Sequence, residues 1–92
     1  MNQSILFPDL QDWESSSQMI VFTAQQQGIN IECRIGITKL AALSKTNLIA
    51  TDQDIATKAL AMFETYRFDI EEEVEQLIEQ EQFDELGRVI VT

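Results

Sequence analysis

The sequence predicts an α+β domain, in which an antiparallel sheet of three to four strands packs against three helices that lie on one of its faces. Residues 4–38 contain three apolar or alternating runs of strand length, and residues 38–81 repeat apolar side chains every three or four positions, as helices do. The final residues, 88–92, are mostly β-branched, which favours one more strand. The order β-β-β-α-α-α-β therefore predicts two layers.

Length and composition indicate one domain over residues 1–92. Apolar residues make up 45% of the chain and charged residues 24%, which are ordinary values for a globular protein that folds without disulfides. Cys33 is the single cysteine, and residues 1–10 lack the basic flank of a secretory signal. No apolar run approaches the roughly 18 residues of a membrane span. These features predict a cytoplasmic protein that does not enter the membrane.

The first predicted strand is a short one at the edge of the sheet. Residues 4–7 are largely apolar, and Pro8 closes this run because proline cannot donate a hydrogen bond to a strand ladder. Residues 9–17 are polar and predict a turn region. Trp13 lies in that region, and we expect it to cover one end of the core.

The next two strands are predicted to form a hairpin. Residues 18–24 are apolar on both faces, which is typical of a central strand, and residues 29–38 alternate, which is typical of a half-buried strand. Cys33 belongs to the apolar face of the second strand, so we expect it to be a small buried side chain rather than a reactive thiol. Residues 25–28 form the loop, where Gly28 can supply a positive φ.

Two helices are predicted after the hairpin, each starting from an N-cap residue. Thr38 caps a short helix that ends near residues 44–47. Thr51 caps the second helix and has Asp54 at the third helical position, and an apolar stripe runs from there to Tyr66.

The third helix follows the second without a change of phase. Its apolar residues recur at helical spacing, and Asp69 with Glu72 resembles a capping box at its start. One long helix over about residues 52–81 is the alternative. We prefer a break at Phe68 and Asp69, because a cap residue has no use in a helix interior. Gly87 ends the helical region.

The acidic residues concentrate in the third helix and the loop after it. Between Glu64 and Glu85 the chain has ten acidic residues and one basic residue, Arg67, which is a net charge of −9 against −10 for the whole chain. This charge repels phosphate backbones and anionic lipids, so we expect neither direct nucleic-acid binding nor membrane binding. A protein with a basic surface is the natural electrostatic match.

The sequence contains no pattern for catalysis, for a metal or for a cofactor. It has no histidine, which removes the commonest general base and zinc ligand, and one cysteine does not make a zinc site. Gly28, Gly36 and Gly87 are too far apart for a phosphate-binding loop. The glutamates of the third helix lack the loop spacing of a calcium site. We therefore predict a protein that is not an enzyme and that binds no cofactor or metal.

The first hypothesis for the function is a non-enzymatic protein-interaction or regulatory module. The acidic helix face over residues 69–85 would bind a basic partner, with Phe68 or Tyr66 as an aromatic anchor. In a variant of this hypothesis, the acidic face mimics nucleic acid. The candidate partner-binding residues are Tyr66, Arg67, Phe68, Asp69, Glu71, Glu72, Glu75 and Glu79.

The alternative is a small-molecule-binding or enzymatic domain. Its pocket would lie between the sheet and the helices, under Trp13. Homodimerisation through a sheet edge, at residues 4–7 or 88–92, is compatible with either hypothesis.

Several short segments together resemble a known family. They are ILFPD at residues 5–9, Trp13-Glu14, Val21-Phe22, Ala24, Gly28, Cys33, the Thr51-capped helix ending in Phe63, and RFDIEEE at residues 67–73. This combination is similar to the bacterial domain of unknown function family 1488, and the resemblance covers nearly the whole chain. It implies a small, single-domain, cytosolic bacterial protein with no assigned activity, so it supports the fold class and adds no mechanism.

Overall fold

The structure is a computed structural model that describes residues 5–49 and 51–92. Within these residues lie five strands and three helices, so the predicted α+β class is confirmed, with more strands than the three or four expected. They are β1 (Ile5–Leu6), β2 (Gln11–Glu14), β3 (Met19–Gln26), β4 (Ile29–Gly36), α1 (Ile37–Ser44), α2 (Ile55–Thr65), α3 (Arg67–Glu79) and β5 (Val89–Val91). Ser4, where the first strand was predicted to begin, lies outside the described residues.

The sheet is built around β3, as the apolar character of residues 18–24 predicts. One edge of β3 pairs with both β1 and β2 and the other with β4, always antiparallel. β5 pairs with β4 in parallel, with Val89 opposite Cys33, whereas the sequence led us to expect an antiparallel sheet throughout. The connection between β4 and β5 contains three helices, and such a crossover can return the chain to the end of the sheet where β4 began.

The strand β2 corrects the prediction of a turn over residues 9–17. Gln11 to Glu14 lie opposite Phe22 to Met19, so this polar segment extends the antiparallel sheet. Trp13 lies opposite Ile20 and packs, half-buried, against the core. The segment is short and lies at the edge of the sheet, so its few apolar side chains gave no alternating pattern to detect.

The turn between β3 and β4 has two residues, Gln27 and Gly28, fewer than the four predicted. Both have positive φ, 54° and 80°, as a type I′ hairpin turn requires. We expect Gly28→Ser to lower the free energy of unfolding by about 1–2 kcal/mol, because the added Cβ meets no atom within 4 Å and only the left-handed backbone is strained. Urea denaturation measures this loss.

Gly36→Ser is the matched control for that substitution. Gly36 is the N-cap of α1, has a φ of −87° and has no side chain to cap the helix. A serine there is expected to leave stability unchanged or to raise it by about 0.5–1 kcal/mol. Equal losses in the two variants would contradict the assignment of strain to the turn.

The core lies between one face of the sheet and the helices. The rings of Phe22 on β3 and Phe63 on α2 meet near its middle, with their centroids 4.9 Å apart. Cys33 is 0% exposed, which confirms its prediction as a small buried side chain. The other buried apolar residues are Ile20, Ala24, Ile35, Leu40, Ile55, Ala59, Ile70, Val74, Ile78, Val89 and Val91.

The first two helices begin where the sequence did not place them. α1 begins at Ile37, one residue before its predicted cap Thr38. α2 begins at Ile55 and Thr51 does not cap it. The carboxylate of Asp52 instead accepts hydrogen bonds from the Asp54 amide and the Lys58 ammonium group, so a different side chain organises this turn.

A break between the second and third helices exists, but it lies at Tyr66 and not at Phe68 and Asp69, where it was predicted. Tyr66 has φ −106° and ψ 21°, which bends the chain, yet its carbonyl still accepts a hydrogen bond from the Ile70 amide at 3.0 Å. α3 is therefore continuous through Phe68 and Asp69, and the prediction of Asp69 as an N-cap is wrong. Asp69 lies in the first turn of α3 instead, where the positive end of the helix dipole stabilises its negative charge.

The helical region ends well before Gly87. α3 stops at Glu79, and Glu81 has a φ of 58°, which turns the chain out of the helix. Gly87 lies in a second turn, where its amide donates to the Asp84 carbonyl at 3.0 Å. Across the part of the chain that the structure describes, no helix combines the length and the apolar character needed to cross a membrane.

Candidate functional site

The outward side of α3 collects half of the predicted site residues. Ile70, Val74 and Ile78 are buried at helical spacing, so the opposite side of the helix faces solvent. Four residues at i, i+4, i+7 and i+11 share that side, three of them exposed and Glu75 half-buried, and we call them the outer stripe: Phe68, Glu72, Glu75 and Glu79. The stripe is about 16 Å long at 1.5 Å per residue.

Phe68 is the most exposed large apolar side chain among the described residues. It is 85% exposed, whereas Phe63, five residues earlier, is 1% exposed. Phe68 has no role in the core, and it lies one helical turn from Glu72. The stripe therefore presents an aromatic ring at one end and carboxylates along the rest.

The carboxylates of the stripe have no cationic partner among residues 5–49 and 51–92, unlike several acidic residues near them. Glu73 is paired with Lys39 on α1 at 3.2 Å, and Asp84 is paired with Arg88 at 2.7 Å. Glu64 and Glu71 are both paired with Arg67. The stripe thus carries uncompensated negative charge, and Asp69 on its flank adds to it.

Arg67 was predicted to contact a partner, but its guanidinium group is occupied within the chain. It donates to Glu71 at 2.7 Å, to Asp9 at 3.0 Å and to Glu64 at 3.2 Å. It also lies 5.8 Å from the centre of the Phe63 ring, and its side chain is 18% exposed. The hydrogen bond from Arg67 holds the pKa of Asp9 below its usual range, and the bond to Glu71 raises the pKa of Arg67.

The remaining predicted residues lie on either side of the stripe. Tyr66 is half-buried at the kink and packs against the core, and Glu71 faces Arg67, so neither belongs to the exposed surface. Asp69 is exposed on the other flank, where it lines a shallow groove of about 370 Å³ along α3. The structure brings together Phe68, Glu72, Glu75 and Glu79 and separates them from Tyr66, Arg67 and Glu71.

The predicted pocket between sheet and helices is filled by apolar side chains in the described part of the chain. The concavity that Trp13 does line, of about 590 Å³, is wide open and lies beside β2. Its other walls include Asp12, Glu14 and Thr23, which the register places on the face of the sheet away from the helices. Among the described residues, no group of three or more acidic or cysteine side chains could hold a metal ion.

One charged cluster on the open face of the sheet was not recognised as a unit from the sequence. Arg34 on β4 donates to Glu32 at 2.6 Å and to Glu14 on β2 at 2.6 Å. The hydrogen bond from Arg34 lowers the pKa of Glu14. The alternation of residues 29–38 predicts that Glu32 and Arg34 share a face. Glu14 could not be added to them from the sequence, because residues 11–14 were not predicted to form a strand.

Comparisons with known proteins agree with one another. A family model described as "Protein of unknown function (DUF1488)" matches residues 5–91. The uncharacterized protein YrdB of Escherichia coli (strain K12) is 34% identical over 89 residues, which are 97% of this chain and 96% of that protein. YrdB of Shigella flexneri is 33% identical over the same shares. A crystal structure of a protein of unknown function from Shewanella loihica PV-4, of the same family, is similar with a TM-score of 0.86 and 45% identity, over 99% of this chain and 94% of that one.

Proposed function

Because the chain belongs to the domain of unknown function family 1488, whose relatives above are uncharacterised, we propose a function from its own surface. The protein is a cytoplasmic, non-enzymatic interaction or regulatory module, and the outer stripe of α3 binds a basic surface of another protein. The single observation that carries this proposal is the exposure of Phe68, at 85%, beside carboxylates that have no cationic partner among the described residues.

Phe68 supplies the apolar part of the proposed contact. A fully buried phenylalanine contributes about 1.5–3 kcal/mol relative to an exposed one, and this gain is still available here because Phe68 makes no core contact. Aromatic side chains surrounded by polar groups are typical of the residues that dominate binding energy in interfaces. We therefore expect an apolar recess on the partner opposite Phe68.

The carboxylates orient the partner and raise the association rate. Glu72, Glu75 and Glu79 follow the ring along α3, so lysine or arginine side chains on the partner would pair with them in sequence. Rim charges of this kind raise the association rate and select the partner more than they add affinity. The same distribution of negative charge disfavours nucleic acid as the direct partner.

The test is quantitative capture of proteins from the native cytoplasm on the immobilised chain, at about 50 mM and at high salt. A basic partner should bind at low salt and be lost at high salt. Phe68→Ala is expected to weaken its binding by about 30-fold and Glu72→Gln/Glu79→Gln by about tenfold.

The control for the charge change is Asp12→Asn/Asp54→Asn, which alters the net charge equally at two exposed carboxylates away from α3. Leu86→Ala, at a side chain that is 75% exposed, is the apolar control. Both control proteins should retain the partner. Binding that is indifferent to salt and to the stripe variants would contradict the proposal, and displacement of the partner by duplex DNA would favour nucleic-acid mimicry.

A further inference from the structure

The segment of residues 5–10, which we call the latch, is attached to the sheet by few backbone pairs, and its side chains Ile5 and Phe7 pack half-buried against the core. Among the described residues, β1 contributes two residue pairs to the sheet, Ile5 with Gln26 and Leu6 with Gln25. Pro8 follows and has no amide hydrogen to donate. By contrast, β3 and β4 pair over eight residues each, so the rest of the sheet does not depend on β1.

Arg67 is the side chain that fastens the latch from the helical side. Its guanidinium group donates to the Asp9 carboxylate at 3.0 Å and to the carbonyl oxygens of Phe7 and Pro8 at 3.5 and 3.3 Å. The three acceptors are 58 to 60 residues away from Arg67 in the sequence. One cation therefore holds three successive residues of the latch.

The same guanidinium group is fixed by the helices on its other side. Glu71 on α3 and Glu64 on α2 accept hydrogen bonds from it, and the Phe63 ring lies beneath it. Gln11, just after the latch, donates to Glu64 at 2.6 Å. Arg67 thus joins the kink between α2 and α3 to the start of the chain.

We infer that the latch opens as a local unit, while the rest of the domain stays folded, and that Arg67 sets how often it opens. Local opening is expected where few backbone hydrogen bonds hold an edge segment to a stable body. Opening removes β1 from the outer edge of β3 and makes that edge accessible. The latch is therefore a gate on one edge of the sheet.

The amides that report on the gate follow from the hairpin geometry. Gln26 and Ile29 flank a two-residue turn, so the N–H and C=O groups of Gln26 point at β4 and those of Gln25 point at β1. Leu6 lies opposite Gln25. The amides of Ala24 and Phe22 face β4, like that of Gln26, and report on the body of the sheet.

The experiment is amide hydrogen exchange, resolved by residue with NMR, on the full chain. In the unmodified protein, Leu6 and Gln25 are expected to exchange at least about tenfold faster than Ala24 and Phe22. Arg67→Gln should accelerate Leu6 and Gln25 by a further factor of about ten, because it removes the charge that makes these hydrogen bonds strong.

Two further variants separate the gate from a general loss of stability. Asp9→Asn removes the negative charge of one acceptor of the latch and leaves Arg67 held by Glu64 and Glu71, so a smaller acceleration of about two- to fivefold is expected at the same two amides. Lys58→Gln removes the ion pair between Lys58 on α2 and Asp52 in the turn before it, and should leave the exchange of both amides unchanged. The inference is overturned if Arg67→Gln does not affect Leu6 and Gln25, or if these amides exchange only together with Ala24 and Phe22.

Discussion

Replacing Phe63 by alanine is expected to lower the free energy of unfolding by about 3–5 kcal/mol, the range for removing a buried aromatic side chain. Phe63 is 1% exposed, its ring stacks at an angle against Phe22 and Arg67 lies over its face. The substitution leaves a cavity at the centre of the sheet–helix interface and removes both aromatic contacts. For a domain of this size, the melting temperature should fall by more than about 12 °C.

The chain provides its own control for this prediction in Phe68→Ala. Phe68 is 85% exposed, so the same chemical change there is expected to alter the free energy of unfolding by less than about 0.5 kcal/mol. Thermal and urea denaturation of the two variants should therefore differ widely. Similar losses in both would contradict the positions of the two rings.

Alkylation of Cys33 by iodoacetamide at pH 8 is expected to be about a thousandfold slower in the folded chain than in the unfolded one. Burial raises the pKa of the Cys33 thiol from its ordinary value of 9.0 to about 12. Since the thiolate is the reactive form, its fraction at pH 8 falls from about one in ten to about one in ten thousand. Mass spectrometry of samples quenched over time measures both rates.

The same pKa shift predicts how stability depends on pH. The folded chain keeps the Cys33 proton between about pH 9 and about pH 12, where the unfolded chain loses it. The contribution of Cys33 to stability is therefore full below about pH 9 and falls above it by about 1.4 kcal/mol per pH unit, until about pH 12. In a Cys33→Ala variant this part of the slope should disappear. Rapid alkylation of the folded chain, or an unchanged slope in the variant, would contradict the burial of the thiol.

The periodicity of the sequence predicted the secondary structure best where a segment has one buried face. Residues 18–24 were recognised as the central strand, and the alternation of residues 29–38 placed Cys33 and Ile35 in the core. The alternation did not show where burial ends along β4. Ile29 belongs to the same face but is 65% exposed, because it lies at the hairpin end of the strand.

The candidate site was predicted as a set of eight residues, and tertiary contacts divide that set. Helical spacing alone puts Phe68, Glu72, Glu75 and Glu79 on one side of α3, opposite the apolar stripe. Arg67 has the same local context in the sequence, yet its partners Asp9, Phe7 and Pro8 lie about sixty residues earlier, where no periodicity could connect them.

Residue patterns were enough to predict the α+β class, the place of the central strand, the burial of Cys33 and the family, and the comparisons confirm that family. These properties depend on the spacing of apolar side chains within short stretches of the sequence. Three-dimensional contacts were needed to establish that residues 11–14 form a strand, that β5 runs parallel to β4 and that Arg67 holds the latch. Each of these three features is a contact between segments that are distant in the sequence. The residues around each segment do not indicate its partner, so the contact depends on the path of the chain in space.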